Sequence, residues 1–317
     1  MKKILALFLA AVMLIGMAAC SKNEKTGVTV NIGVLKGPTG MGAAWLMDQN
    51  EQGLSANSYN FTIAGAPDVL TGQLISGDMD MAALPTNAIS TLYNKTEGKI
   101  TVLGVNALGV LYILENGDRI NSVADLEGKI ILASGQGSTA EYVLNYILEQ
   151  NGVSADIFWA SEHSEAATLA LSGEYDIVML PEPFVTTVTT KNGSFRVALD
   201  LTREWEALGG GELTMGGIAV RTEFLEAHPD AVKAFVKEYA SSVAFTNAQP
   251  ADAAKLIAKY EIAAEEIAKN AIPRCNIVWL HGENYKAKLE NFLGVVYEAN
   301  PAGIGGKMPG DDFYQIY

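Results

Sequence analysis

Ser76-Gly77-Asp78-Met79-Asp80-Met81-Ala82-Ala83-Leu84-Pro85 returns, 96 residues later, as Ser172-Gly173-Glu174-Tyr175-Asp176-Ile177-Val178-Met179-Leu180-Pro181. Serine, glycine, the second aspartate, leucine and proline are identical in the two copies. Each copy reads as a helix end, a glycine turn, and a short apolar run of the kind that fills a buried strand. Proline closes both runs, where a residue without an N–H can no longer serve the ladder. A second feature recurs at nearly the same offset: the glycine loops at Gly37 and Gly135. Helix-glycine-strand-proline is common grammar in α/β proteins. Two matched features at one spacing favour a duplicated half over coincidence.

Working outward, both halves carry the same order of elements. Val28–Leu35 alternates with the two-residue period of a strand. It is followed by the loop Gly37-Pro38-Thr39-Gly40 and a helix through Trp45 and Met47. Tyr59–Gly65 reads as a strand, Pro67–Ile75 as a helix and Met79–Leu84 as a buried strand. In the second half, strand Lys129–Ser134 leads through Gly135-Gln136-Gly137-Ser138 into a helix over Ser138–Gln150. Ser138 and Glu141 have the spacing of a capping box. Ile157–Ala160 and Glu165–Leu171 supply the next strand and helix. This alternation predicts an α/β fold with a mainly parallel sheet. Thr214–Val220 is a further strand. Helical patterns follow at Pro229–Asn247, Pro250–Tyr260, Glu265–Arg274 and Gly282–Glu298, and should pack back onto the halves.

The 317 residues allow one large or two medium domains, and 49% hydrophobic with 18% charged residues is a globular composition. A net charge of −14 argues against nucleic acid, which demands a basic surface. Lys2 and Lys3 precede an uncharged run, Ile4–Ala19, that has the form of a secretory signal. Met17-Ala18-Ala19-Cys20 is close to a lipobox, with methionine where leucine is usual, which makes Cys20 the lipidated first residue of the mature chain. An ordinary signal cleaved near Ala19 is the alternative. Cleavage removes two lysines, so −14 becomes −16. Ser21–Gly27 reads as a tether. Cys275 is then the remaining cysteine, and reads as a buried small hydrophobe.

Enzyme chemistry is weakly supported. There is no G-x-S-x-G elbow, and His163, His228 and His281 lack a triad setting. His163 and His228 read as solvated loop and helix-start residues. No C-x-x-C or histidine pair suggests zinc, and Glu162, His163 and Glu165 read as a polar strand end. Gly135-x-Gly137-x-x-Ala140, with Glu162 beyond it, approximates a dinucleotide fingerprint. Export of the chain, and a matching loop in the first half, weigh against that. The broader meaning of Gly37-Pro38-Thr39-Gly40 and of Gly137-Ser138-Thr139 is two helix starts whose free N–H groups suit an anionic group. Equally, these residues turn the chain and cap helices. The Leu-Pro corners place Thr86, Asn87 and Glu182 beyond strand ends, where ligands of α/β sheets bind. Glu182 is either an acceptor for a cationic or N–H-bearing ligand or a first-turn acid that steadies a helix. Trp159 is the tryptophan placed to edge a pocket.

Taken together, the lipobox, the Gly-Pro-Thr-Gly loop, Ser76-Gly77-Asp78-x-Asp80 and Leu180-Pro181-Glu182-Pro183-Phe184 resemble the solute-binding lipoproteins of ABC importers. Asp125-Leu126-Glu127-Gly128-Lys129 and Gly306-Lys307-Met308-Pro309-Gly310-Asp311-Asp312-Phe313-Tyr314 add to the resemblance. The nearest group binds nitrate, sulfonates, taurine or the pyrimidine precursor of thiamine. The resemblance implies a type II periplasmic-binding fold, with two α/β lobes, a two-strand hinge near Gly109–Ile113 and Thr214–Val220, and a ligand cleft between the lobes. Lobe I would be 28–108 plus 218–317 and lobe II 109–217, after a signal over 1–19 and a tether over 20–27. The implied function is capture of a small organic solute at the outer face of the cell membrane, where the chain is held by lipid on Cys20. Delivery would be to an importer permease and its ATPase. A monomer without cofactor or metal is expected. The absence of arginine from the loops and corners disfavours a sulfonate or nitrate-type anion, and Glu182 favours a thiamine-related pyrimidine or another small heterocycle. The alternative is an exported enzyme acting on such a heterocycle.

Overall fold

The computed structural model describes residues 25–317, so the signal segment, Cys20 and most of the tether lie outside the described residues. The first half runs β1 (Thr29–Leu35), α1 (Pro38–Glu51), β2 (Ser58–Ala64), α2 (Pro67–Ser76), β3 (Met81–Pro85), α3 (Thr86–Lys95) and β4 (Ile100–Ala107). The second runs β5 (Leu111–Asn116), β6 (Ile130–Ser134), α4 (Thr139–Gln150), β7 (Asp156–Ala160), α5 (His163–Ser172), β8 (Ile177–Pro181), α6 (Phe184–Lys191), β9 (Phe195–Asp200) and α7 (Leu201–Ala207). The chain then returns through β10 (Gly216–Arg221), α8 (Thr222–Ala227), α9 (Pro229–Ala248), α10 (Pro250–Lys259), α11 (Glu265–Ala271), β11 (Ile277–Leu280) and α12 (Glu283–Ala299).

Two sheets form, with strand orders β11-β4-β10-β3-β1-β2 and β7-β6-β8-β5-β9. Apart from β11 they are the same arrangement read twice. β1, β2 and β3 correspond to β6, β7 and β8, and the strands that enter from a chain crossing, β10 and β5, lie beside β3 and β8. The sheets are mixed rather than mainly parallel. β1 pairs in parallel with β2 and β3, and β6 with β7 and β8. β10, however, runs antiparallel to β3 and β4, and β5 antiparallel to β8 and β9. Each crossing strand enters its sheet from the other half, so it runs against its neighbours.

The repeated motif does the same physical work in both halves. Gly77 and Gly173 end α2 and α5 in left-handed conformations, at φ 87° and 83°, which a side chain would strain. Ser76 Oγ donates to Gln73 O and to Asp78, as Ser172 Oγ donates to Leu169 O and to Glu174. β3 and β8 then pass through the core, with Ala82, Leu84, Val178 and Leu180 fully buried.

The C-terminal helices close the molecule. Val232, Phe235 and Tyr239 of α9 and Ala253 and Ile257 of α10 pack on Ile32, Val34 and Met81 of the first sheet. Leu289, Phe292 and Leu293 of α12 join a core that reaches Trp205, Ile113 and Ile131 of the second half. Among the described residues no helix is long and apolar enough to cross a membrane.

Candidate functional site

A cleft of about 820 Å³ lies between the sheets, and its walls are the loops at the carboxyl ends of the parallel strands. The first half contributes Lys36-Gly37-Pro38-Thr39 after β1, Gly65–Val69 after β2, and Leu84 and Pro85 at the end of β3. The second contributes Gly135–Ala140 after β6, Trp159–His163 around the end of β7, and Pro181 and Glu182 after β8. Ala107, Val110, Leu111, Met215 and Gly216 line it where the chain passes between the sheets. Four helices, α1, α2, α4 and α5, therefore start at the cleft wall. Side-chain caps are missing at α1, α2 and α5, so their leading N–H groups are left for solvent or ligand.

Eight residues singled out from the sequence line this cleft: Gly37, Pro38, Thr39, Gly137, Ser138, Thr139, Trp159 and Glu182. Several have polar groups already occupied within the protein. Thr39 Oγ1 accepts from Leu35 N at 3.2 Å, tying the start of α1 to β1. Thr139 Oγ1 donates to Asn87 Oδ1 at 3.0 Å. Ser138 Oγ donates to Gly135 O at 2.6 Å and accepts from Ala140 N at 3.3 Å. The capping box read from Ser138 and Glu141 does not form. Ser138 N already donates to Gly135 O, so Glu141 instead accepts from Gly137 N at 2.6 Å.

Three of the residues lie behind the wall. Gly40 sits inside α1, where a Cβ would come 2.5 Å from Leu35 O, so glycine serves close packing there. Thr86 is wholly buried and donates to Thr214 O at 2.6 Å. Asn87 donates to Gly137 O at 3.3 Å and Gly303 O at 3.2 Å, besides accepting from Thr139. It fastens the helix starts of the two halves to one another rather than facing the cleft.

Glu182 is not a free acceptor. Its carboxylate is fully buried and accepts from Arg274 Nε at 2.7 Å, Thr186 N at 3.0 Å and Thr186 Oγ1 at 2.8 Å. Arg274, from the C-terminal third, thus supplies a guanidinium beside the Leu-Pro corner, where the local sequence shows none. It pairs with the Glu182 carboxylate. Lys36, exposed at the rim, makes no ion pair or side-chain hydrogen bond among the described residues, and Asp68 and Glu162 are the nearby acids.

His163, read from sequence as a solvated loop residue, lines the cleft instead. Its Nδ1 lies 2.6 Å from Ser134 Oγ, and its ring packs 5.4 Å from that of Phe184. Burial pushes its pKa down from 6.5 to about 4, because the surrounding protein solvates the imidazolium poorly. The unfolded chain therefore binds an extra proton between these values, and stability gained from the neutral ring is complete above pH 6.5. It should fall by up to about 3 kcal/mol as the pH drops to 4. Urea unfolding at pH 7 and pH 4.5 tests this: His163→Gln should lose measurably less stability on acidification than the wild type, and equal losses would refute it. The strand-end cue that adds His163 to the site is its match in position to Pro67, at the start of α2 in the other half.

Cys275 is fully buried, 3.8 Å from the sulfur of Met41, and burial raises its thiol pKa well above the usual value. That environment suits packing and not nucleophilic attack. Among the described residues no group of three or more His, Cys, Asp and Glu is arranged to hold a metal ion.

A family model described as "Menaquinone biosynthesis" matches residues 49–291. No curated protein matches the sequence. Among solved structures, an ABC transporter protein from Parabacteroides distasonis is 22% identical, with a TM-score of 0.75 over 91% of this chain and 99% of that one. The alkanesulfonate-binding protein SsuA from Xanthomonas axonopodis pv. citri, bound to MOPS, is 18% identical, with a TM-score of 0.69 over 89% and 95%. The nitrate-binding protein NrtA from Synechocystis PCC 6803 is 14% identical, with a TM-score of 0.63 over 89% and 85%. At these identities the likeness is one of fold, the two-lobed fold of periplasmic solute-binding proteins.

Proposed function

We propose that this chain, which belongs to the family described as "Menaquinone biosynthesis" and has the fold of ABC-importer binding proteins, captures a small organic solute outside the cell. The observation that carries the reading is the cleft of about 820 Å³ between two repeated sheets, walled by strand ends and helix starts of both. In this reading 28–108 plus 218–317 form one lobe and 109–217 the other, and closure over the solute signals occupancy to a permease and its ATPase. Lipid on Cys20 would hold the protein at the membrane.

The lining restricts the solute. Leu35, Val69, Val110, Leu111, Trp159 and Met215 offer an apolar surface, while uncapped helix starts and Lys36 favour an electron-rich oxygen. This suits a molecule with an apolar body and a sulfonate, carboxylate or carbonyl head. The amine-bearing pyrimidine loses its main support, since Glu182 already holds Arg274. Alkanesulfonate and nitrate in the structural relatives belong to the same acceptor class.

Mass spectrometry of the molecule retained through native purification, followed by calorimetry with it, should show one saturable site per chain and no chemical change in the ligand. Absence of any retained molecule, together with no thermal shift across sulfonates, carboxylates and heterocycles, would sink the proposal. The family description favours one second reading, an exported enzyme acting on a small substrate, and His163 with Ser134 is its nearest catalytic pair. Consumption of the bound molecule would decide for it.

A further inference from the structure

We infer that His163, held by Ser134 as its Nε2–H tautomer, is a hydrogen-bond donor to an oxygen acceptor on the molecule bound in the cleft. The inference rests on the solute-binding reading and adds to it a residue that selects the head group.

The argument is one of proton accounting. Ser134 ends β6 and is wholly buried, and its hydroxyl has one hydrogen-bond contact among the described residues, to His163 Nδ1 at 2.6 Å. A buried hydroxyl keeps its proton on an acceptor. If Nδ1 carried the hydrogen, the serine proton would have no acceptor. So the hydroxyl donates, Nδ1 accepts, and the ring hydrogen of the neutral imidazole sits on Nε2. Nε2 makes no hydrogen bond within the described protein, and it is not among the buried atoms left without a partner. It is therefore accessible, on a residue that lines the cleft.

Two neighbours fix the ring. Ser134 holds one edge, and Phe184 packs against the ring. Gly135 is the neighbouring loop residue, where an added Cβ would stand 3.6 Å from Cε1. Gly135 takes φ 90°, a conformation that a side chain would strain. Burial keeps the ring neutral at pH 7, so it donates without bringing a net charge. A donor whose tautomer is set beforehand favours carboxylate, sulfonate or carbonyl oxygens and offers nothing to an ammonium group.

Two measurements test this separately. Two-bond proton–nitrogen correlation spectra of the ring-labelled protein should show His163 with a bare Nδ1 and a protonated Nε2. Ser134→Ala should broaden or abolish that preference. The binding arm uses MOPS, taurine and benzoate as probes. For whichever binds the wild type, His163→Phe should weaken binding by about tenfold or more, the usual cost of a lost donor to a charged acceptor. His163→Gln, which restores an N–H, should recover most of it. An Nδ1–H tautomer, or unchanged affinity in His163→Phe, overturns the inference while leaving solute binding intact. Failure of all three probes and of any retained molecule to bind the wild type overturns the solute-binding reading, whatever the tautomer.

Discussion

Replacing Arg274 by methionine should lower the free energy of unfolding by about 3 kcal/mol, near the low end for stripping the partner from a buried carboxylate. Glu182 is completely inaccessible, so its charge cannot be taken over by water once Arg274 is gone. Thr186 N and Oγ1 still donate to it, but they are dipoles facing a full negative charge. Arg274 itself is 48% exposed, which keeps its own desolvation modest and places the loss below the upper end of the range. Arg274 also donates to Thr186 Oγ1 at 2.8 Å, so one substitution empties two bonds. Glu182→Gln removes the buried charge. The double variant Arg274→Met, Glu182→Gln should therefore be more stable than the sum of the two single losses predicts. Denaturant midpoints of the four proteins complete the cycle, and additive losses would show that the pair is not coupled. The pair matters beyond stability: it joins a corner of the second sheet to the C-terminal segment that returns to the first, beside the cleft.

Trp205→Ala should cost about 3–5 kcal/mol, the range for emptying an aromatic core position. Trp205 is fully buried in α7, with ring centroids 4.9 Å from Tyr146 and 5.6 Å from Phe292. It thereby couples α4 of the second half to α12, which packs on the first. Its Nε1 is buried without a partner among the described residues. Trp205→Phe should accordingly lose only about 1–2 kcal/mol, because a smaller ring is partly compensated by removing an unsatisfied donor. Gly210 is part of the same fit, since a Cβ there would stand 2.4 Å from the indole. Equal losses for alanine and phenylalanine would overturn this account of the site.

The elements were legible because their signals are local. The strand at Val28–Leu35 shows its two-residue period, and Gly77 and Gly173 end helices whatever lies around them. The mixed direction of the sheets was not, because β5 and β10 look like any apolar strand. Their direction depends on which half the chain has just left. The cleft loops were placed by the same local grammar, but the use of their polar groups was not. Thr86 faces Thr214, 128 residues away, and Asn87 faces Gly303, 216 residues away.

The sequence by itself determined the duplicated α/β plan, the position of the cleft at the strand ends, and the acidic character of the chain. Each follows from periodicity, glycine conformation or composition, which act over a few residues or over none in particular. Only the tertiary structure decided which groups remain free for a ligand. Glu182 is occupied because Arg274 arrives from 92 residues away, and His163 faces the cleft because Ser134, 29 residues earlier, holds its ring. A hydrogen bond is a short-range contact between atoms. Whether a side chain is free or taken depends on which distant segment folds against it, and spacing along the chain does not record that.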